Sequence, residues 1–505
     1  MRSINKFYFT ACKCAGAIAL LAWVATRGKG IPMCFLTLIG IIAALTNRRG
    51  ISLSCFIMFP VFFALNPVVF PLTSIGSAVC RASTLVIAAL MIFSSTRSRG
   101  KNILPLGGML PYLLLAGVSS AQGYFPQISY LKLLNFIAFL MGIWMGTRNM
   151  QNSPKDMEFV RMFLAGMSIF IIVGSLLTLP FPAISYAQNV KNMAQTMGVA
   201  AAEAVFKKNR AFVDVTYFCG VTRQSQCLGP LLAAVVLWLV ADMLFIVRKI
   251  TLPAILLVGI GVGEMYLTRS RTSLLAFLVG GAVLVLYAVK HTPMRLSMKK
   301  KVRRMVASGM WVMIGAAVVF QIMGGGVSQW IRKRGAGDAN RSLIDDVTSS
   351  RQQLIEMNLR DFHYNELLGC GFQVEYEHQF IFQHHEGLIM SAPIEKGVLP
   401  LMILGESGLI GFIVFCGFLV VFYAGCKKRS LYVTMSLFSV LLASNMGEAD
   451  FFSPGGVGGA KWVLCVVGGF IVDTYLLYHR RMEAQANRWK MAMMASLDHR
   501  AFGDV

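Results

Sequence analysis

Thr268-Arg269-Ser270-Arg271-Thr272-Ser273 separates two apolar runs, Leu252–Leu267 and Leu274–Tyr287. Each run approaches the ~20 residues that a helix needs to cross a bilayer. So short a link between them predicts a reversal of direction at a membrane surface. In a helix, side chains two apart lie on nearly opposite faces, whereas an extended or turned link puts them on the same side. Arg269 and Arg271 are then expected to point together at headgroup depth, where forked donors suit phosphate oxygens. The competing reading is interfacial snorkelling, the ordinary role of an arginine at a helix end.

The chain has 505 residues, of which 56% are hydrophobic and only 14% charged, and its mean hydropathy is +0.64. This composition belongs to a polytopic membrane protein and predicts an all-α bundle. A net charge of +24 would suggest nucleic acid in a soluble protein. Here it reads as cytoplasmic loops obeying the positive-inside rule, with no nucleic-acid partner. The cysteines lie mostly in apolar runs and show no CxxC spacing, so they read as small core residues. Cys219, Cys227 and Cys370 fall in segments expected outside, which leaves a disulfide open there. Arg2 and Lys6 precede an apolar run that is interrupted by Lys13 and lacks a small-x-small cleavage site. That run is expected to be a retained first span.

Hydropathy predicts fourteen spans, near 7–25, 31–46, 51–70, 76–94, 103–120, 129–147, 160–179, 228–247, 252–267, 272–289, 305–323, 399–424, 431–447 and 460–478. With the N-terminus inside, Arg48-Arg49, Arg248-Lys249, Lys299–Arg304, Lys427–Arg429 and Arg480-Arg481 all fall in the cytoplasm, as do both termini. The expected divisions are an N-terminal bundle (1–179), an outer loop (180–227), spans with the hairpin (228–323), a large outer loop (324–398), last spans (399–478) and a tail (479–505). In the large loop, Ser350-Arg351-Gln352-Gln353 fits a capping box, and Leu354, Ile355, Leu359 and Phe362 form an apolar helical stripe. Gly369-Cys370-Gly371-Phe372 then reads as a turn, so a helical lid is expected on the outer face.

Arg210, Arg223, Arg269, Arg271 and Arg351 all fall on the side that basic residues usually avoid. Such a group suggests an anionic substrate, and a lipid phosphate or diphosphate is the natural candidate at a membrane surface; solvated loop charge is the bland alternative. Glu395, His363, His384, His385 and Glu386 are the protonatable candidates. Glu395 precedes the span beginning near Val398, so it could serve as a general base at the membrane face of the lid, or merely cap a helix. His384-His385 is adjacent rather than i, i+4 and makes a poor metal signature. No metal or cofactor is expected. Glu264, Glu406 and Asp473 lie in or near apolar spans, where an ionisable group is costly and usually has a partner.

Four stretches, in order, are similar to the O-antigen ligase/O-antigen polymerase superfamily of bacterial membrane glycosyltransferases. Gly220-Val221-Thr222-Arg223-Gln224-Ser225-Gln226-Cys227-Leu228-Gly229 resembles its upstream segment, and Tyr266–Ala276 its Ser-Arg hairpin. Ser350-Arg351 through Leu367-Leu368-Gly369-Cys370-Gly371-Phe372 resembles the large-loop pattern, and Glu395-Lys396-Gly397 through Gly405-Glu406-Ser407-Gly408 the loop exit. The likeness covers roughly 205–425.

The resemblance implies an inverting, metal-independent transfer of glycan from a polyprenyl diphosphate to a hydroxyl acceptor, outside a bacterial inner membrane, alongside other polysaccharide-assembly proteins. Arg223, Arg269 and Arg271 would hold the diphosphate. Many members carry a His-Asn pair at the loop exit; this chain has Glu395-Lys396, so Glu395, His384 and His385 all stand as the base. Two rivals remain from the residues alone: a flippase or other secondary transporter, and a non-catalytic assembly factor.

Overall fold

The computed structural model describes residues 2–28, 30–67, 69–72, 74–96, 104–150, 153–181, 218–248, 251–289, 352–375, 397–447 and 449–478, with short pieces between 480 and 489. Among these residues regular structure is helical throughout. The helices are α1 (Arg2–Arg27), α2 (Ile31–Leu45), α3 (Arg49–Ala64), α4 (Ser74–Thr96), α5 (Leu110–Gln122), α6 (Pro126–Met150) and α7 (Pro154–Thr178). They continue with α8 (Ser225–Asp242), α9 (Leu252–Leu267), α10 (Arg271–Val283), α11 (Gln352–Tyr364), α12 (Leu399–Lys428) and α13 (Tyr432–Ser444). The last, α14, starts as Gly456–Trp462, passes through a π turn at Val463–Gly468, and continues over 469–478.

The all-helical expectation holds, but the count of fourteen spans does not. Seven helices among the described residues are long and apolar enough to cross a membrane. Five shorter apolar helices accompany them: Ile31–Leu45, Arg49–Ala64, Leu252–Leu267, Arg271–Tyr287 and Tyr432–Ser444. A helix of ~15 residues rises only about 22 Å, short of a ~30 Å hydrocarbon core. Apolar content marked these segments without fixing where each helix stops. The segment expected over 51–70 ends at Ala64, because Leu65 turns extended and pairs with Thr222. The segment expected over 305–323 lies outside the described residues.

Burial sorts the helices by the faces they show. On α2, Ile31, Phe35, Leu38, Ile39, Ile42 and Leu45 are exposed, and α12 shows Ile413, Val420 and Val421. Large apolar side chains turned outward along whole helices need lipid to cover them. By contrast, α14 is buried all round from Val457 to Val472, with Lys461 the one charge in that stretch. It packs against α3, with α8 and α13 beside its π turn.

One end of the bundle is closed by ring packing. Phe452 lies 5.3 Å from Phe136 and from Tyr112, and Phe451 stands 4.9 Å from Trp462. The opposite end is tied by charge. Arg161 grips Asp242 at 2.6 and 3.0 Å, Arg49 donates to the Asn149 carbonyl at 2.7 Å, and Asp156 accepts from the Gly50 amide at 3.0 Å. There Asp473 accepts from the Val433 and Thr434 amides at 3.0 and 2.8 Å, capping the start of α13. Asp473 therefore holds helices together at that end.

Candidate functional site

The Ser-Arg stretch is a turn of minimal length. The last residue of α9 is Leu267 and the first of α10 is Arg271. Its hydroxyls hold it closed: Thr268 Oγ1 donates to the Met265 carbonyl (2.7 Å), and the Ser270 amide donates to Thr268 Oγ1 (3.3 Å). Ser273 Oγ donates to the Ser270 carbonyl (2.5 Å). Arg269 adopts φ 52°, a left-handed conformation that a side chain disfavours, and it is what lets the chain reverse between two helices. Arg269 and Arg271 are both half-buried.

The hairpin sits directly on α8. A Cβ on Gly229 would stand 2.7 Å from Ser273 Oγ and 2.8 Å from Thr268 Oγ1. Only a glycine permits that approach.

Just upstream, residues 218–224 run from the hairpin to the end of α3. The Phe218 amide donates to the Leu267 carbonyl at 3.4 Å. At the other end, the Asn66 amide donates to the Val221 carbonyl (2.8 Å) and the Arg223 amide to the Ala64 carbonyl (3.0 Å). Buried Asn66 adds Nδ2 to the Gly220 carbonyl at 3.2 Å. Irregular backbone buried inside the bundle needs such partners, because no solvent reaches it. Arg223 emerges exposed from this segment. One continuous stretch of chain thus joins Arg223 to the Arg269–Arg271 hairpin.

The lid joins the same end by another route. Its helix, α11, forms where the apolar stripe predicts it and packs on α12. The turn that follows, expected on the outer face, enters a break in α12 at Gly408, φ 63°. The exchange is reciprocal. Cys370 and Gly371 amides donate to the Gly405 and Glu406 carbonyls at 2.9 and 3.0 Å. Leu409 and Ile410 amides donate to the Glu366 and Leu367 carbonyls at 2.8 and 3.3 Å. The inserted turn thus supplies partners to backbone groups that the break frees. A side chain at Gly408 would collide with the Leu367 carbonyl.

Phe372 then plugs the aromatic cluster, 5.3 Å from Phe452 and 6.0 Å from Phe136. The turn between α5 and α6 completes the join, with the Tyr124 amide donating to the Cys370 carbonyl at 3.0 Å. Burial, with Asp361 adding to it, pushes the Tyr124 phenol up to about 12.

Of the site residues expected from sequence, Arg223, Arg269 and Arg271 fall at this end of the bundle. Arg210, Arg351, Glu395, His384 and His385 lie outside the described residues. His363 is exposed, with Nδ1 3.3 Å from Glu366 Oε1, a solvated pair on one helix face. No disulfide joins Cys219, Cys227 or Cys370, nor any of the other eight cysteines. Glu406 is fully buried at the break. Glu264 is 2% exposed, and neither carboxylate oxygen has a hydrogen-bond partner among the described residues.

Compared with known proteins, the chain matches no family model and no curated protein. Its residues must carry the argument.

Sequence reading missed one charged pair here. Lys461, fully buried in α14, places Nζ 2.5 Å from Asp450 Oδ1 and 3.1 Å from Ser444 Oγ. Asp450 and Lys461 are 11 apart in a glycine-rich stretch, a spacing that signals no shared helix face. Chemically, this end of the bundle offers guanidiniums fit to bind an anion, on a scaffold whose irregular segments are held by backbone hydrogen bonds.

Proposed function

We propose that this chain is a membrane glycosyltransferase that moves glycan from a polyprenyl-diphosphate carrier to a hydroxyl acceptor during surface polysaccharide assembly. The observation that carries the reading is the continuous backbone connection from Arg223 to the Arg269–Arg271 hairpin at one end of an apolar bundle. A carrier anchored in lipid presents its diphosphate at that depth.

In this reaction the bond between the sugar's anomeric carbon and the diphosphate breaks, and the acceptor oxygen bonds to the same carbon from the opposite face. The acceptor's proton passes to a carboxylate or imidazole, with Glu395, His384 and His385 as the candidates. The diphosphate departs with its charge held by guanidiniums, and preorganised positive charge of this kind is commonly a large catalytic term. The finer topology belongs to the same proposal: both termini cytoplasmic, and the site facing the periplasm of a bacterial inner membrane.

A second reading, transport of a lipid-linked glycan, is favoured by Glu264, since an unpartnered ionisable group inside a span often marks a translocation path. The lipid-linked glycan pool separates the two. In cells lacking the protein, or carrying Arg269→Ala, outward-facing single repeats left on the carrier mean a polymerase and full-length chains mean a ligase. Transfer by Arg269→Ala is expected to fall by about 100-fold or more. Glycan trapped on the cytoplasmic leaflet would support transport, and an unchanged pool would end the polysaccharide reading.

A further inference from the structure

Arg81 is a charge inside an apolar helix that the architecture does not account for. It lies in α4, half-buried, with Nη2 3.3 Å from Ser77 Oγ and its guanidinium carbon 5.5 Å from the centre of the Phe63 ring. No carboxylate pairs with it among the described residues, and its Nη1 is buried without a hydrogen-bond partner. A guanidinium within a span is costly and ordinarily has a partner.

The end of α3 carries a second guanidinium. Phe63, under Arg81, is followed by Ala64, whose carbonyl accepts from the Arg223 amide at 3.0 Å. The Arg223 side chain is exposed and also meets no carboxylate among the described residues. The loop packed on Phe63, where a Cβ on Gly455 would lie 3.6 Å from the ring, does contain an acid. Among the loop's described residues that acid is Asp450, and Lys461 already holds it at 2.5 Å. Two forked cations are thus anchored by successive residues of α3, and the one carboxylate among the loop's described residues is committed elsewhere.

We propose that Arg81 and Arg223 together hold a phosphoryl oxyanion beside the end of α3, extending the basic surface from the hairpin, along 218–224, to α4. Planar guanidiniums match phosphate oxygens in geometry as well as charge. The phosphoryl group belongs either to the polyprenyl diphosphate or to an anionic phospholipid headgroup. The inference rests on the proposed glycosyltransferase reading only for the first of these sources.

The test uses the full-length protein in phosphatidylcholine nanodiscs, titrated separately with undecaprenyl diphosphate and with phosphatidylglycerol and read by native mass spectrometry. Arg81→Gln and Arg223→Gln are each expected to weaken binding at least about tenfold. The double variant should lose less than the product of the two losses, because both residues hold one group. Arg81→Lys, which keeps charge without the fork, should recover part of the affinity, and its thermal midpoint checks that the bundle is intact. A loss confined to the diphosphate identifies the carrier as ligand, and an equal loss for phosphatidylglycerol identifies the headgroup; both support the site. Unchanged binding of both lipids by Arg81→Gln overturns the inference. If Arg269→Ala weakens the diphosphate in that same experiment, the glycosyltransferase reading survives; if it does not, both readings fall.

Discussion

The two joins that build the candidate site are made from different parts of the chain. At the Ser-Arg hairpin, side-chain hydroxyls of Thr268 and Ser273 hold the turn, and an arginine takes the left-handed position. At the lid, backbone meets backbone: the 366–371 turn and the break at Gly408 exchange four amide hydrogen bonds, with no side chain interposed. The first join displays charged side chains and pays for them in backbone strain. The second displays almost none and is suited to holding one segment rigidly inside another. A site that binds an anion and a lid that stays docked call for different materials.

The largest expected effect breaks the lid join. Gly408→Val forces a branched side chain into φ 63° against the Leu367 carbonyl. It should destabilise the protein by about 3 kcal/mol, from left-handed strain and lost hydrogen bonds. Hydrogen exchange should show the Cys370 and Gly371 amides losing protection. If both amides stay protected, the reciprocal bonds are not what docks the lid.

Next is the seat of the hairpin on α8. Gly229→Val leaves no room for Thr268 and Ser273 at their present distances, so overpacking should cost about 2 kcal/mol. The thermal midpoint should fall while lid-amide exchange stays unchanged. Loss of protection at both joins would show that they are one cooperative unit rather than two.

The smallest effect isolates strain from charge. Arg269→Gly and Arg269→Ala both remove the guanidinium, but glycine accepts the left-handed conformation. Arg269→Gly should be the more stable of the two by about 1 kcal/mol, read from denaturation midpoints, with transfer equally lost in both. Equal stability would mean that the turn relaxes once the arginine is gone.

Much of the hairpin was legible in advance. Two apolar runs with six polar residues between them leave little choice but a reversal, and both arginines fall within it. The lid helix was legible for a similar reason, since Leu354, Ile355, Leu359 and Phe362 repeat at helical spacing. Its destination was not. Nothing local in Gly369-Cys370-Gly371-Phe372 says that its amides answer carbonyls at Gly405 and Glu406, because backbone groups are the same in every residue. Arg81 escaped notice because an arginine in an apolar run reads as a helix-end residue until its neighbours are known.

The sequence by itself determined the helical, membrane-type architecture, the place of the chain reversal and the residues on the hairpin. These follow from periodicity and charge, which act over a few residues. Only the tertiary structure decided which helices are long enough to span, that Asp473 caps α13, that residues 218–224 tie the hairpin to α3, and that the lid turn enters a broken helix. Each of those depends on hydrogen bonds between groups far apart in the chain. A buried amide accepts whichever partner the packing brings to it.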